Sequence, residues 1–314
     1  MKTPIPFVCS PHYTVAPQWI VALQAAMPEE VIMPFDTLDA QQKAACTVAI
    51  IANPDPAHIA QMPQLKWIHS VWAGVERVVA DLGHTHLDIV RLIDPQLADT
   101  MAEAVLAWTM YLHRDMPAYA EQQRAKQWRT LDYTLARQRS VGVLGLGALG
   151  DAAAKRLLAS NFRVNGWSRS KKNVDGVNCY TGADELQAML AASDIVVCLL
   201  PLTAETKGLL NAEKLAWMKP GAQLINFGRG PIIDDDALKA ALDSGALKHA
   251  VLDVFAVEPL PPTQWQWSHP GVTVLPHISA PTDRDTASAI VAGNIRAYRE
   301  NGVIPTAVNT QRGY

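Results

Sequence analysis

Cysteine is scarce in this chain. Its four residues, Cys9, Cys46, Cys179 and Cys198, are scattered, with no C-x-x-C pair among them. That spacing offers no disulfide framework, and a reduced, soluble, cytoplasmic protein is the expectation. Cys9 and Cys198 fall in apolar, strand-like runs, where small buried thiols are expected. Long apolar runs are missing too: no stretch approaches the roughly 18 residues of a membrane helix, and residues 1–9 have too short an apolar core for a secretory signal. Nor is there an excess of positive charge. Lys and Arg number 27 against 30 Asp and Glu, for a net charge of -3, which excludes the electrostatic footprint of a nucleic-acid or membrane-surface binder. Internal repeats and low-complexity linkers are also lacking. What remains is an ordinary globular composition, 49% hydrophobic and 18% charged over 314 residues, long enough that two domains are expected.

Strand-like and helix-like segments alternate nearly throughout, which predicts an α/β architecture with parallel sheets. Residues 5–9, 47–51 and 66–71 have the character of short buried strands, and Trp19, Ile20, Leu23, Ala26 and Met27 recur at helical spacing. Residues 98–111 hold Ala, Leu, Met and Trp with no Gly or Pro, predicting a long, mostly buried helix that bridges two domains. A second βα series begins at Ser140. Strands are expected over 141–144, 163–167, 195–200, 223–227, 249–252 and 272–275, with a helix over 148–160. Asp234-Asp-Asp236 precedes a helix over 237–242, which Gly245 suits as a stop, and Thr282 is placed to cap a closing helix that runs to about Glu300.

Between the strand at 141–144 and the helix after it lies Gly145-Leu-Gly147-Ala-Leu-Gly150. Glycine permits a tight turn and close approach of a pyrophosphate to the backbone, and the helix N-terminus then presents free N–H groups. A bare G-x-G-x-x-G is weak evidence; with a strand before it and a helix after it, dinucleotide binding is the expectation. The next strand ends Trp167-Ser168-Arg169-Ser170-Lys171-Lys172, where an NAD site usually carries an acid for the ribose hydroxyls. A carboxylate there would repel a 2′-phosphate, whereas Ser168, Arg169, Ser170 and Lys172 would receive one. NADP(H) is therefore expected over NAD(H), which stays possible; a solvated basic loop is the plainer alternative.

Three further segments carry chemistry: Asn226-Phe-Gly-Arg229-Gly230, Asp253-Val-Phe-Ala-Val-Glu258-Pro259 and Pro276-His277. Each follows a strand, and the carboxyl ends of parallel strands are where open α/β sheets bind ligands. A guanidinium at Arg229 can hold a carboxylate bidentately. An imidazole at His277 can donate a proton near neutrality, and a carboxylate at Glu258 would fix its tautomer and favour its charged form. Taken singly, Arg229 could be a surface ion pair and His277 a hydrogen-bonded core histidine. In order, the set supplies what is needed to move a hydride onto a 2-keto acid and protonate its oxygen. His84-Thr-His86 lacks further ligand partners, so no metal is expected.

Residues 234–260, from Asp234-Asp-Asp-Ala-Leu to Val-Glu258-Pro-Leu, and the earlier Pro201-Leu-Thr-Ala-Glu-Thr-Lys-Gly-Leu-Leu resemble the signatures of the D-isomer-specific 2-hydroxyacid dehydrogenases. The resemblance spans essentially the whole chain and is nearest the glyoxylate/hydroxypyruvate reductase A branch, including the terminal Arg312-Gly313-Tyr314. It implies two Rossmann-like, doubly wound parallel-sheet domains with the active site in the cleft between them. Residues 1–97 plus 283–314 would form the flavodoxin-like substrate domain and 98–282 the dinucleotide-binding domain. It further implies that Arg229 binds the substrate carboxylate and keto oxygen, that His277 is the proton donor, and that Glu258 is its partner. Asp253 matches a nicotinamide contact, and Ala73 and Gly74 match a loop whose N–H groups hold the carboxylate. The expected cofactor surface also takes in Ala148 and Leu149 of the glycine turn, Leu200, Pro201 and Thr206, Phe227 and Gly228, and Ser279, with Arg229 and His277 touching both ligands. A homodimer acting on a small 2-keto or 2-hydroxy acid is implied.

Two positions depart from the family pattern. Its loop commonly reads Gly-Ala-Gly-Val-Asp, where this chain has Trp72-Ala-Gly-Val-Glu76, and the reductase A branch tends to carry Trp where this chain has Ala52. The pocket is therefore lined differently, and Trp72 is expected either to wall the substrate site or to pack into the core. Two other readings stay open: a cofactor-binding scaffold without catalysis, and a dehydrogenase for a bulkier 2-keto acid.

Overall fold

The computed structural model describes residues 3–311; the terminal Arg312-Gly313-Tyr314 lies outside the described residues. The chain divides into two compact units, Met1–Gln96 with Thr282–Tyr314, and Leu97–Pro281. The first begins β1 (Ile5–Cys9), α1 (Ala16–Ala26), β2 (Ile32–Pro34), α2 (Ala40–Ala45), β3 (Val48–Ala52), α3 (Pro56–Ile59), β4 (Trp67–Ser70), α4 (Glu76–Leu82), β5 (Asp88–Val90). Its five strands run parallel in the order β2-β1-β3-β4-β5, the flavodoxin-like arrangement. β3 and β4 are buried along their whole length and β1 over all but its last residue, which is why they are written as unbroken apolar runs rather than alternating ones. The edge strands β2 and β5 escape sequence reading. Each has three residues, too few to show a period, and β2 ends in Pro34, a residue tolerated at an edge.

The second unit holds α5 (Pro95–His113, from Leu97 on), α6 (Met116–Arg124), β6 (Ser140–Leu144), α7 (Ala148–Ala159), β7 (Arg163–Ser168), β8 (Val177–Thr181), α8 (Gly182–Ala192), β9 (Ile195–Cys198), α9 (Ala212–Ala216), β10 (Ala222–Asn226), α10 (Asp235–Asp243), β11 (Leu247–Leu252) and β12 (Val272–Val274). The seven strands are parallel, ordered β12-β11-β10-β9-β6-β7-β8. Strand order reverses between β6 and β9, and the carboxyl ends of strands at such a point form the crevice where dinucleotides bind. β8, a half-buried edge strand, is the one the sequence reading omits.

Three expectations need correction here. α5 is amphipathic rather than mostly buried: Leu97, Met101, Ala102, Val105, Thr109, Leu112 and His113 face the core while Glu103, Ala107 and Met110 are exposed, as the 3.6-residue period of a one-sided helix requires. The closing helix α11 (Arg284–Asn301) returns to the first unit, packing Ala287, Val291, Ala292 and Ile295 beside Trp19 and Leu23. Its cap is Asp283, not Thr282; Asp283 Oδ1 accepts from the N–H groups of Asp285 and Thr286 at 3.0 and 2.9 Å. A carboxylate both caps and favours the positive end of the helix dipole, so it outcompetes the neighbouring hydroxyl. Cys198 is buried, but Cys9 is only half-buried, because it ends β1; all four cysteines are free. Among the described residues no helix is long and apolar enough to cross a membrane.

Candidate active site

The glycine turn joins β6 to α7 at the switch point of the second sheet. Gly145 has φ +102°, and its N–H donates to the Trp167 carbonyl at 2.8 Å. A Cβ on Gly150 would sit 1.7 Å from the Gly145 carbonyl oxygen, so no side chain fits where α7 closes on the turn. Gly147 differs: a Cβ there would meet nothing within 4 Å. Packing within the protein does not require glycine at 147, whereas close approach of a ligand does. Gly147 is also the N-cap of α7 and supplies no side-chain cap to the first-turn N–H groups, those of Ala148, Leu149 and Gly150 among them. Those donors, with the helix dipole behind them, suit a pyrophosphate.

Around the turn, the ends of β7, β9 and β10 gather the other cofactor candidates. Ser168 is buried and donates to the Ser170 carbonyl at 2.7 Å. Arg169 pairs with Glu205 through Nη1 and Oε2 at 3.0 Å, a partner that sequence reading does not find. Lys171 and Lys172 are exposed. Beyond β9, Leu200 is buried, and Thr206 ties the following turn together: its hydroxyl donates to the Pro201 carbonyl at 2.6 Å and accepts from the Thr203 N–H at 2.8 Å. Phe227 is buried, and a Cβ on Gly228 would fall 2.6 Å from the Leu200 carbonyl oxygen, so the β9 and β10 ends touch backbone to backbone. Ser279 is buried with an Oγ that has no hydrogen-bond partner, an orphaned polar atom that a cofactor group would satisfy.

The groups of the chemistry segments are held by bonds that the motifs do not advertise. Asn226, at the end of β10, is 1% exposed; its Oδ1 accepts from the Gly228 N–H and its Nδ2 donates to the Arg229 carbonyl, both at 3.1 Å. That bracket sets the turn from which the Arg229 side chain departs, and Arg229 Nη1 donates to the Gly228 carbonyl at 2.7 Å. Gly230 then passes so near the next loop that a Cβ would lie 2.1 Å from the Phe255 carbonyl carbon. Glu258 Oε1 accepts from the Phe255 N–H at 2.8 Å, and Oε2 accepts from His277 Nδ1 at 2.7 Å. His277 has φ +55°, a left-handed conformation uncommon outside glycine. Asp253 holds the chain there: 1% exposed, it accepts from the N–H groups of Ile278 and Ser279 at 2.7 and 2.9 Å, one on each oxygen.

Electrostatics couples three of these residues. The hydrogen bond to Glu258 raises the His277 pKa above its ordinary value; burial and the Arg229 charge pull against it, and the charges of Glu258 and Asp253 add to the rise. Burial alone would raise the Glu258 carboxyl, but the hydrogen bonds from His277 and the Phe255 N–H, and the charges of His277 and Arg229, leave it below its ordinary value. The pair is thus an imidazolium beside a carboxylate over a wider pH range than either group alone would allow.

Trp72, Ala73 and Gly74 lie in the first unit, between β4 and α4, each partly buried. Trp72 packs against that unit's core and meets the Tyr13 ring edge-on, with centroids 5.5 Å apart and an interplanar angle of 87°. The backbone N–H of Trp72 donates to Ser70 Oγ at 3.0 Å. Among the described residues no three of His, Cys, Asp and Glu are grouped as a metal set.

Comparison with known proteins bears on this arrangement. Residues 106–279 match the family model described as D-isomer specific 2-hydroxyacid dehydrogenase, NAD binding domain. The chain is 35% identical over 299 residues to glyoxylate/hydroxypyruvate reductase A from Serratia proteamaculans, covering 93% of this chain and 94% of that one. Among solved structures, it superimposes with a TM-score of 0.92 and 37% identity on a D-isomer specific 2-hydroxyacid dehydrogenase from Xanthobacter autotrophicus Py2 in complex with NADPH and MES, covering 100% of both chains. An NADPH-dependent glyoxylate/hydroxypyruvate reductase from Sinorhizobium meliloti, in complex with NADP and sulfate, gives 0.90 and 33%, again over 100% of both.

The Asp253 clamp generates a prediction. In Asp253→Asn an amide NH2 replaces one acceptor, leaving a loop N–H opposite a donor, at a cost of about 1–3 kcal/mol. Calorimetry should show a Tm several degrees lower, and amide exchange at Ile278 and Ser279 should accelerate. A variant with unchanged Tm and exchange would show that the loop is held by other bonds.

Proposed function

The chain belongs to the D-isomer-specific 2-hydroxyacid dehydrogenases, and we propose that it reduces small 2-keto acids, glyoxylate and hydroxypyruvate foremost, to 2-hydroxy acids with NADPH as the reductant. The observation that carries this reading is the 2.7 Å contact between His277 and Glu258, electrostatically coupled to Arg229. When bound, NADPH supplies the hydride. The N–H groups of the glycine turn and α7 would take its pyrophosphate, Arg169 its 2′-phosphate, and Ser279 and the remaining acceptor capacity of Asp253 the nicotinamide end. The guanidinium of Arg229 binds the substrate carboxylate and keto oxygen, orienting the carbonyl and drawing charge from it. His277, with Nδ1 engaged by Glu258, gives its proton from Nε2 to the oxygen as charge develops there; Glu258 keeps the imidazole protonated and fixes its tautomer.

The relatives that are glyoxylate/hydroxypyruvate reductases by name support the substrate class, and the basic end of β7 supports NADPH. The edge-on packing of Trp72 on Tyr13 favours a packing role for that side chain over a movable wall. Apolar residues exposed along the segment after α5, with Met116, Tyr119, Trp128 and Tyr133 between 38% and 101% exposed, support a homodimer. The composition and an NADPH-consuming reaction support a cytoplasmic setting.

Two experiments test the proposal. Adding glyoxylate or hydroxypyruvate to protein and NADPH should consume NADPH, and His277→Ala should lose about two to four decades of kcat with NADPH binding retained. A protein that binds NADPH yet turns over no 2-keto acid would point to a non-catalytic scaffold, and a fast His277→Ala enzyme would place the proton donor elsewhere. For the cofactor, Arg169→Ala should raise the Kd for NADPH by about one decade, the scale of a hydrogen bond to a charged group, and leave NADH nearly unchanged. Equal use of the two cofactors by the unaltered protein would overturn the 2′-phosphate assignment.

A further inference from the structure

The strand end that would receive the 2′-phosphate is not simply basic. Arg169, 47% exposed, is paired with the carboxylate of Glu205, 68% exposed and 36 residues further along the chain. Both side chains leave backbone that is already fixed. On the Arg169 side, its carbonyl accepts from the Thr181 hydroxyl at 3.2 Å, and Ser168 is bonded to the Ser170 carbonyl. On the Glu205 side, the turn is tied by Thr206 to Pro201 and Thr203, and by the Thr206 N–H to Thr203 Oγ1 at 3.2 Å. A negative charge is therefore delivered, from a hydrogen-bonded turn outside the glycine motif, to the guanidinium proposed to meet the 2′-phosphate.

We propose that Glu205 sets the cofactor discrimination of this protein: its carboxylate competes with the 2′-phosphate for Arg169 and lowers the affinity for NADPH without lowering that for NADH. The proposal rests on the reading that the 2′-phosphate binds at Arg169. A carboxylate 3.0 Å from the guanidinium cancels much of the charge that the phosphate would meet. A phosphate docked on the far side of the guanidinium would also sit within about 6–7 Å of that carboxylate. At that range two like charges still repel appreciably in water, and the phosphate carries nearly two charges. The ribose hydroxyls of NADH are neutral and meet no such penalty. The acid usually found at the end of this strand excludes the phosphate by direct contact; here an acid arrives from the neighbouring loop and acts through the arginine.

Glu205→Gln keeps the shape and removes the charge. Kd values for NADPH and NADH, measured on the full protein by quenching of its tryptophan fluorescence, give the readout. For the variant, NADPH should bind about three- to tenfold more tightly, the scale of one exposed ion pair plus the lost repulsion, and NADH within about twofold of the unaltered protein. The gain should shrink between about 0.05 and 0.5 M salt, as the Debye length falls below the separation of the groups. Unchanged or weaker NADPH binding in Glu205→Gln overturns the proposal, the weaker case making Glu205 a support for Arg169 rather than a competitor; so does an equal gain for both cofactors. Arg169→Ala separates the failures. If it leaves NADPH affinity intact, the phosphate is not at Arg169 and the cofactor reading falls with the proposal. If it weakens NADPH while Glu205→Gln does nothing, only the role of Glu205 falls.

Discussion

A buried carboxylate with two backbone donors is the constraint on which the candidate site turns. Asp253 directly follows β11, is 1% exposed, and accepts from the Ile278 N–H on one oxygen and the Ser279 N–H on the other. Two charge-assisted bonds of this kind stabilise a loop that would otherwise relax, and they hold His277 at a positive φ that a non-glycine residue seldom adopts. With the loop fixed, His277 reaches Glu258; with Gly230 lacking a side chain, the Arg229 turn passes close enough to Phe255 for its charge to bear on both. The clamp thus bears on the mutual geometry of residues that lie far apart in the sequence.

The parallel sheet explains why these residues come from such distant points. Every strand of the second unit runs the same way, so the carboxyl ends of β6, β7, β9, β10 and β11 and the chain after β12 open on one edge. The glycine turn, the Ser168-Arg169 step, the Pro201–Thr206 turn, Arg229, Asp253 and His277 each follow a strand end. The central strands can be apolar throughout because helices cover both faces, and the polar work falls to the loops, where solvent and ligand can reach it.

Much of this was open to reading from residues. The glycine spacing, a strand before it and a helix after it mark the start of the second sheet, and the long central strands show as apolar runs. β2, β5 and β8 do not, being short or half-buried, whereas the equally short edge strand β12 shows through its Val-Thr-Val-Leu run. The helix at 95–113 shows its length but not its exposed face, because Ala and Met serve buried and exposed positions alike. The contacts of Asn226 and Glu205 do not show for another reason: each engages a partner brought to it by the fold. A buried Asn inside Asn226-Phe-Gly-Arg229 is the one signal that could have been found, since an amide at an apolar strand end needs several hydrogen bonds.

The titration of His277 bears most directly on the claim that this site protonates a reduced carbonyl. Followed by NMR of its ring proton, His277 in the unaltered protein should titrate above the ordinary histidine value. Reduction needs the imidazolium, so the rate should fall as pH rises through that same pKa. Glu258→Gln removes the bond that raises the pKa and leaves burial and Arg229, which lower it; both the titration and the falling limb of the rate should then move together to lower pH. A His277 that titrates at or below the ordinary value in the unaltered protein, or a rate limb that stays in place when Glu258 is changed, would contradict the assignment.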